Sequence, residues 1–244
     1  MRCAPLAVSL GEWVESDVRK VCDKPLSWLS ETYFFRDPAR PCHADPAYFF
    51  SPADGVILYQ EQAHPRDRLF DIKGKSYSLC DALGDPSYDK PSLVIGIFMT
   101  FFDVHVNRVP YPGRLSYRRL EPLATYNHPM LEMEENLLRD LRIDLRSAEY
   151  LRHNQRMVNH VYVSELGLEY YILQVADYDV DKITPFELRQ NWPARQGARF
   201  SQIRYGSQVD LIIPLSDRFE FKSTQPVGHH VEAAVDPLVR IGDK

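Results

Sequence analysis

The sequence predicts an α+β protein, mainly antiparallel β, with N-terminal helices ahead of a β-rich core and a smaller C-terminal lobe. Three observations predict it: apolar residues at helical spacing near the N-terminus, short β-branched and aromatic runs bounded by turn residues, and one charge-rich leucine stretch between them. From Gly11 to Thr32, residues Trp13, Val14, Val18, Val21, Leu26, Trp28 and Leu29 recur at roughly helical spacing until Pro25 interrupts them, so residues 1–33 are expected to hold two short amphipathic helices. Such a face has two uses. It packs against a core, or it rests on lipid, for which the two Trp residues and the following Tyr33-Phe34-Phe35 are suited.

Over residues 34–120 the runs Val56 to Tyr59, Tyr77 to Leu79, Leu93 to Phe102 and Arg114 to Tyr117 lie between Pro, Gly and Asp, as antiparallel strands do. Residues 128–151 set Met130, Leu131, Met133, Leu137, Leu138, Leu141 and Leu145 among many charges, which predicts a helical excursion. Strands are expected to resume at Val158 to Val163, Tyr170 to Val175 and Val209 to Ile213. No repeat or low-complexity linker divides the 244 residues, so they read as a single domain.

The charged fraction of 26% and net charge of -5 give no basic excess, and nucleic acid is not an expected partner. Cys3, Cys22, Cys42 and Cys80 show no CxxC spacing, so neither zinc nor a disulfide framework is expected, and reduced thiols in a cytoplasmic protein fit. No stretch approaches the ~20 apolar residues of a spanning helix. Peripheral contact with a membrane is the form of association left to such a chain.

Several residues can carry chemistry. Ser51-Pro52-Ala53-Asp54-Gly55 by itself reads as a β-turn, and Gly206-Ser207 as another. His105, in Asp103-x-His105, reads as a structural histidine, as half a metal site, or as an acid–base group with a pKa near neutrality. A glycine before a serine lets the backbone bend toward the hydroxyl, which needs a base to become a nucleophile. The G-x-S-x-G elbow of a serine hydrolase is absent around Ser207. The adjacent His229 and His230 point to opposite faces if they lie on a strand, so no metal site is expected there.

Five blocks, in order, carry a resemblance. They are Phe35-Arg36-Asp37-Pro38 leading to Ser51-Pro52-Ala53-Asp54-Gly55; Lys73-Gly74-Lys75-Ser76-Tyr77-Ser78-Leu79; Met99-Thr100-Phe101-Phe102-Asp103-Val104-His105-Val106-Asn107-Arg108; Asn154-Gln155-Arg156; and Gly197-Ala198-Arg199-Phe200 through Gly206-Ser207-Gln208-Val209-Asp210. Together they resemble the phosphatidylserine decarboxylase family in its short, soluble-looking branch. The resemblance implies a proenzyme that cleaves itself between Gly206 and Ser207: the serine oxygen attacks the preceding carbonyl, and the resulting ester eliminates. A large chain, 1–206 with its core over 34–206, and a small chain, 207–244, then result, the small one beginning with a covalent pyruvoyl group made from Ser207. That carbonyl condenses with a substrate amine and draws electrons as carbon dioxide leaves. The resemblance also implies His105 as the base for the serine hydroxyl with Asp54 orienting its imidazole, or Asp54 as the base directly; His105 is then the proton donor, and Asn107 and Arg108 are candidate substrate contacts, Arg108 suiting a phosphate.

The implied substrate is a serine-headed phospholipid and the product its ethanolamine counterpart. A soluble amino acid as substrate, and a descendant that binds lipid or a partner without cleaving, remain the alternatives. The longer enzymes of the family carry a second histidine where this chain has Arg108, which leaves open the group that takes its part. The resemblance further implies a lipoyl-like C-terminal lobe, from Gln225-Pro226-Val227-Gly228 to Leu238-Val239, a peripheral membrane location and a homodimer.

Overall fold

The structure is a computed structural model that describes residues 7–41, 45–72, 75–120, 128–177, 183–204 and 207–244. Gly206, Cys3, Cys42 and the Lys73-Gly74 pair, all singled out above, lie outside the described residues.

In chain order the elements are β1 (Val8–Ser9), α1 (Leu10–Ser16), α2 (Leu26–Trp28), β2 (Tyr48–Phe50), β3 (Gly55–Ala63), β4 (Phe70–Ile72), β5 (Lys75–Tyr77), α3 (Leu79–Leu83), β6 (Ser92–Met99), β7 (Val106–Arg108) and β8 (Gly113–Leu120). There follow α4 (Leu131–Leu138), α5 (Tyr150–His153), β9 (Arg156–Val163), β10 (Leu168–Ala176), β11 (Ile183–Pro185), β12 (Trp192–Ala194), β13 (Arg199–Ile203), β14 (Ser207–Pro214), β15 (Phe219–Ser223), β16 (His229–Val231) and β17 (Pro237–Asp243). The expected α+β, mainly antiparallel β class is what forms. Nine strands make the main sheet in the order β1-β16-β3-β6-β14-β10-β9-β8-β12, antiparallel at every step.

The two central strands, β6 and β14, are buried along their whole length: β6 is apolar from Leu93 to Met99, whereas β14 carries buried Ser207, Gln208 and Asp210 ahead of its apolar end. Alternation still sorts their side chains, because successive residues of a strand point to opposite faces. Ile95, Ile97, Met99, Val209 and Leu211 pack in one core layer, and Val94, Phe98 and Ile212 in another with Trp13, Leu79, Met133 and Leu151 from the helices.

The expected strand Tyr77 to Leu79 is cut short. Ser78 caps α3 through a reciprocal capping box with Asp81, and Gly84 ends that helix at φ 56°, so the chain turns helical at Leu79. The charge-rich stretch gives α4, a 3-10 turn at Leu145–Ser147 and α5. In the N-terminal segment Leu10, Trp13, Val14, Val18 and Leu29 are buried, as core packing expects, whereas Leu26 is 73% and Trp28 38% exposed. The C-terminal segment is woven into the body, since β14 and β16 belong to the main sheet while β15 and β17 close a small sheet with β2.

Candidate functional site

Because its strands alternate in direction, the main sheet brings the start of β3, the end of β6, the start of β14, and the ends of β10 and β16 to one edge. The register fixes this: Gly55 faces Val231, Val56 faces Phe98, and Ser207 lies between Met99 and Ala176. Asp54, the loop Thr100 to His105, Ser207 and Glu232 therefore gather there. Gly55 is required for that approach. At φ 149°, a Cβ on it would meet the Phe98 carbonyl oxygen at 2.2 Å, so only glycine lets β3 run this close to β6 and hold Asp54 beside the loop.

The loop after β6 is fixed by side chains bonding its backbone. Asp103 Oδ2 accepts from the Thr100 N–H at 2.7 Å and from its hydroxyl at 2.8 Å, and Glu134 on α4 accepts from the Phe101 N–H at 2.9 Å. Arg36 donates to the Phe102 carbonyl at 2.6 Å and to the Asp103 carbonyl at 3.4 Å.

His105 is fully buried, with its ring 4.0 Å from that of Phe34. Its Nδ1 lies 3.0 Å from the Asp103 carbonyl oxygen, which can only accept, so Nδ1 carries the proton and Nε2 has the lone pair. Nε2 is buried with no hydrogen-bond partner among the described residues. Burial pushes the imidazole pKa down to about 4, and the ring is neutral at physiological pH.

The second histidine at this edge is His230. Its Nε2 donates to Asp103 Oδ1 at 2.6 Å, and its ring stacks on Trp13 with centroids 4.2 Å apart and planes 8° from parallel. Burial opposes its cation, but the Asp103 carboxylate outweighs burial, with Asp54 and Glu232 adding to it, and the pKa rises above the usual histidine value. Asp103 answers in kind: against its own burial, His230 and the Thr100 bonds hold it below the usual carboxylate range.

The hydrogen bonds of Asp54 go to groups other than His105. Its oxygens accept from Arg40 at 2.6 Å and from the Ala233 N–H at 2.7 Å, while the His105 ring is held by a backbone carbonyl. Burial raises the Asp54 carboxyl to about 6 despite Arg40. Ser207 is fully buried at the first position of β14, its hydroxyl 3.2 Å from the Met99 sulfur. Asn107 and Arg108 are engaged elsewhere. Asn107 accepts from Gln174 at 2.7 Å, and Arg108 is buried between Asp37, at 2.8 Å, and the Gly197 carbonyl, at 3.1 Å.

A cavity of about 520 Å³ opens at this edge, with Trp13, Arg36, Arg40, Asp54, Asp103 and His230 among the residues that line it. Arg40 had no local signal in the sequence, for its partners Asp54 and Glu232 meet it only in the fold. The Arg36 and Asp103 roles sat inside quoted blocks. His230 was visible only as one of a histidine pair, and its partner lies 127 residues away.

The described residues suit a pyruvoyl group formed at Ser207, because a buried serine hydroxyl and an imidazole nitrogen with no partner among the described residues lie at the same edge. Comparison with known proteins bears on the same point. The family model described as phosphatidylserine decarboxylase matches residues 31–236. The phosphatidylserine decarboxylase proenzyme of Erythrobacter litoralis (strain HTCC2594) is 32% identical over 226 residues, covering 90% of this chain and 77% of its own. That of Chlorobium phaeobacteroides (strain BS1) is 29% identical over 199 residues, with 78% and 70% covered. That of Burkholderia vietnamiensis (strain G4 / LMG 22486) is 30% identical over 185 residues, with 76% and 68% covered.

Proposed function

The chain belongs to the phosphatidylserine decarboxylase family, and on that premise we propose that it is a self-cleaving proenzyme that removes carbon dioxide from phosphatidylserine to leave phosphatidylethanolamine. In this reading Ser207 Oγ attacks the carbonyl of Gly206 and an ester replaces the peptide bond; loss of the Ser207 Cα proton then expels residues 1–206 as a carboxylate, and water replaces the nitrogen of the dehydroalanine left at the head of chain 207–244, releasing ammonia. Once formed, the pyruvoyl group supplies a carbonyl that serves as an electron sink while carbon dioxide departs.

The observation that carries the reading is the buried Nε2 of neutral His105, without a hydrogen-bond partner among the described residues and on the same edge as Ser207. A neutral imidazole takes a proton and returns it, and the Asp103 carbonyl holds the ring in the tautomer that keeps Nε2 bare. Buried surroundings keep water from that nitrogen, so the proton it returns goes to the reacting carbon and not to solvent. Asp54 faces the cavity with a carboxyl that titrates near 6, and is proposed as the second acid–base group.

No helix among the described residues is long and apolar enough to cross a membrane. Contact with the bilayer that holds the substrate is proposed through Leu26 and Trp28, whose exposed side chains sit on the segment that runs on to Tyr33 at the cavity.

Intact mass under denaturing conditions tests the proposal, with Ser207→Ala as control. Two chains divided after Gly206, the small one lighter by the mass of ammonia than a serine terminus requires, are expected; a single chain of 244 residues would overturn it.

A further inference from the structure

Asp103 holds two histidines at once. Its backbone carbonyl accepts from His105 Nδ1–H at 3.0 Å, and its carboxylate accepts from His230 Nε2–H at 2.6 Å. The other carboxylate oxygen is saturated by Thr100, so His230 is the group that satisfies Oδ1. All three residues are buried, and a buried carboxylate oxygen without a partner is costly enough to turn the side chain, and its loop, elsewhere.

We propose that His230 is the second histidine of this site, a positioning residue that acts through the Asp103 carboxylate to hold the loop and so to keep the His105 ring in the tautomer with Nε2 bare. The inference rests on the self-cleaving reading above and gives one answer to the part left vacant at Arg108, whose guanidinium is committed to Asp37 and the Gly197 carbonyl. His230 is fitted for the task. Trp13 covers one face of its ring, which leaves rotation restricted, and Asp54 and Glu232 add to the field of Asp103 that favours its protonated form. The bond also joins the segment after Ser207 to the large-chain loop, so it spans the two products of cleavage.

The test uses the full chain in two forms. In Ser207→Ala, which cannot cleave, nitrogen-15 NMR of the imidazoles is expected to show His105 in one tautomer with Nδ1 protonated. Adding His230→Ala is expected to mix the tautomers, and His230→Gln, which keeps a donor near the Nε2 position, to restore the single one. In the chain that retains Ser207, self-cleavage is expected to slow roughly 100-fold with His230→Ala, the size of loss that a ~1 Å misplacement causes, and to recover most of that with His230→Gln.

An unchanged His105 tautomer and cleavage rate in a folded His230→Ala protein would overturn the proposal, as would a folded His230→Gln protein that recovers neither. If His230→Ala does not fold, His230→Asn, too short to reach Asp103, takes its place against the Gln variant. A parent chain that never cleaves would instead sink the functional reading, and the tautomer comparison would still decide the role of His230.

Discussion

Replacing Gly55 with alanine should separate β3 from β6 at the edge that holds the site. The added Cβ would lie 2.2 Å from the Phe98 carbonyl oxygen, 2.8 Å from its carbon and 3.0 Å from Ile97 Cγ2. Contacts of a Cβ below 3.0 Å are essentially never found, so the strands must part by about 0.8 Å, the difference between 3.0 and 2.2 Å, at a point where both are fully buried. A side chain at φ 149° is itself strained. Strain of about 1–3 kcal/mol together with the disrupted pairing puts the destabilisation at roughly 3–5 kcal/mol. Urea unfolding in the Ser207→Ala background measures it on one continuous chain, and the same substitution with Ser207 present should slow cleavage, because Asp54 and the Thr100–His105 loop move apart. A loss of less than about 1 kcal/mol would refute the argument and leave Gly55 as an ordinary turn residue.

The burial of His105 has a pH signature. Its folded pKa of about 4 lies below the ordinary 6.5, so between those values the unfolded chain binds the extra proton and stability falls as pH falls. His105→Asn, which removes the titration, should therefore gain about 2 kcal/mol relative to its parent between pH 7 and pH 5, read from urea midpoints on the Ser207→Ala chain, and a gap constant with pH contradicts the buried neutral imidazole. Glu134→Ala strips the Phe101 N–H of its acceptor and should cost about 1–3 kcal/mol, whereas Glu134→Gln keeps an acceptor and should cost less; equal losses would show that α4 does not hold the loop through this bond. Leu26→Ser with Trp28→Ser should weaken binding to phosphatidylserine-containing vesicles by at least about 100-fold, as expected when two apolar side chains leave an interface, and undiminished co-sedimentation would move the membrane contact elsewhere.

Much of the architecture was legible locally. The runs at Val56, Leu93, Val158, Tyr170 and Val209 became strands because β-branched and aromatic residues between turn signals favour extended chain wherever they end up. The helix at Leu79 carries a local signal as well, a capping box between Ser78 and Asp81 with Gly84 closing the helix, set against the strand propensity of the preceding Tyr77. The sequence motifs likewise singled out Asp54, His105 and Ser207, which the fold brings to one edge of one sheet.

Sequence by itself thus determined the class of fold, the position of the main strands of the large sheet, and the family, since these depend on residue type and order along the chain. Tertiary structure alone decided the partners. Asp54 went to Arg40, Arg108 went to Asp37, and Asp103 took His230 from 127 residues away, because strand register and loop closure choose which charges share a buried space. In that space a carboxylate must take whichever donor the fold brings within reach, and no local pattern encodes which one that is.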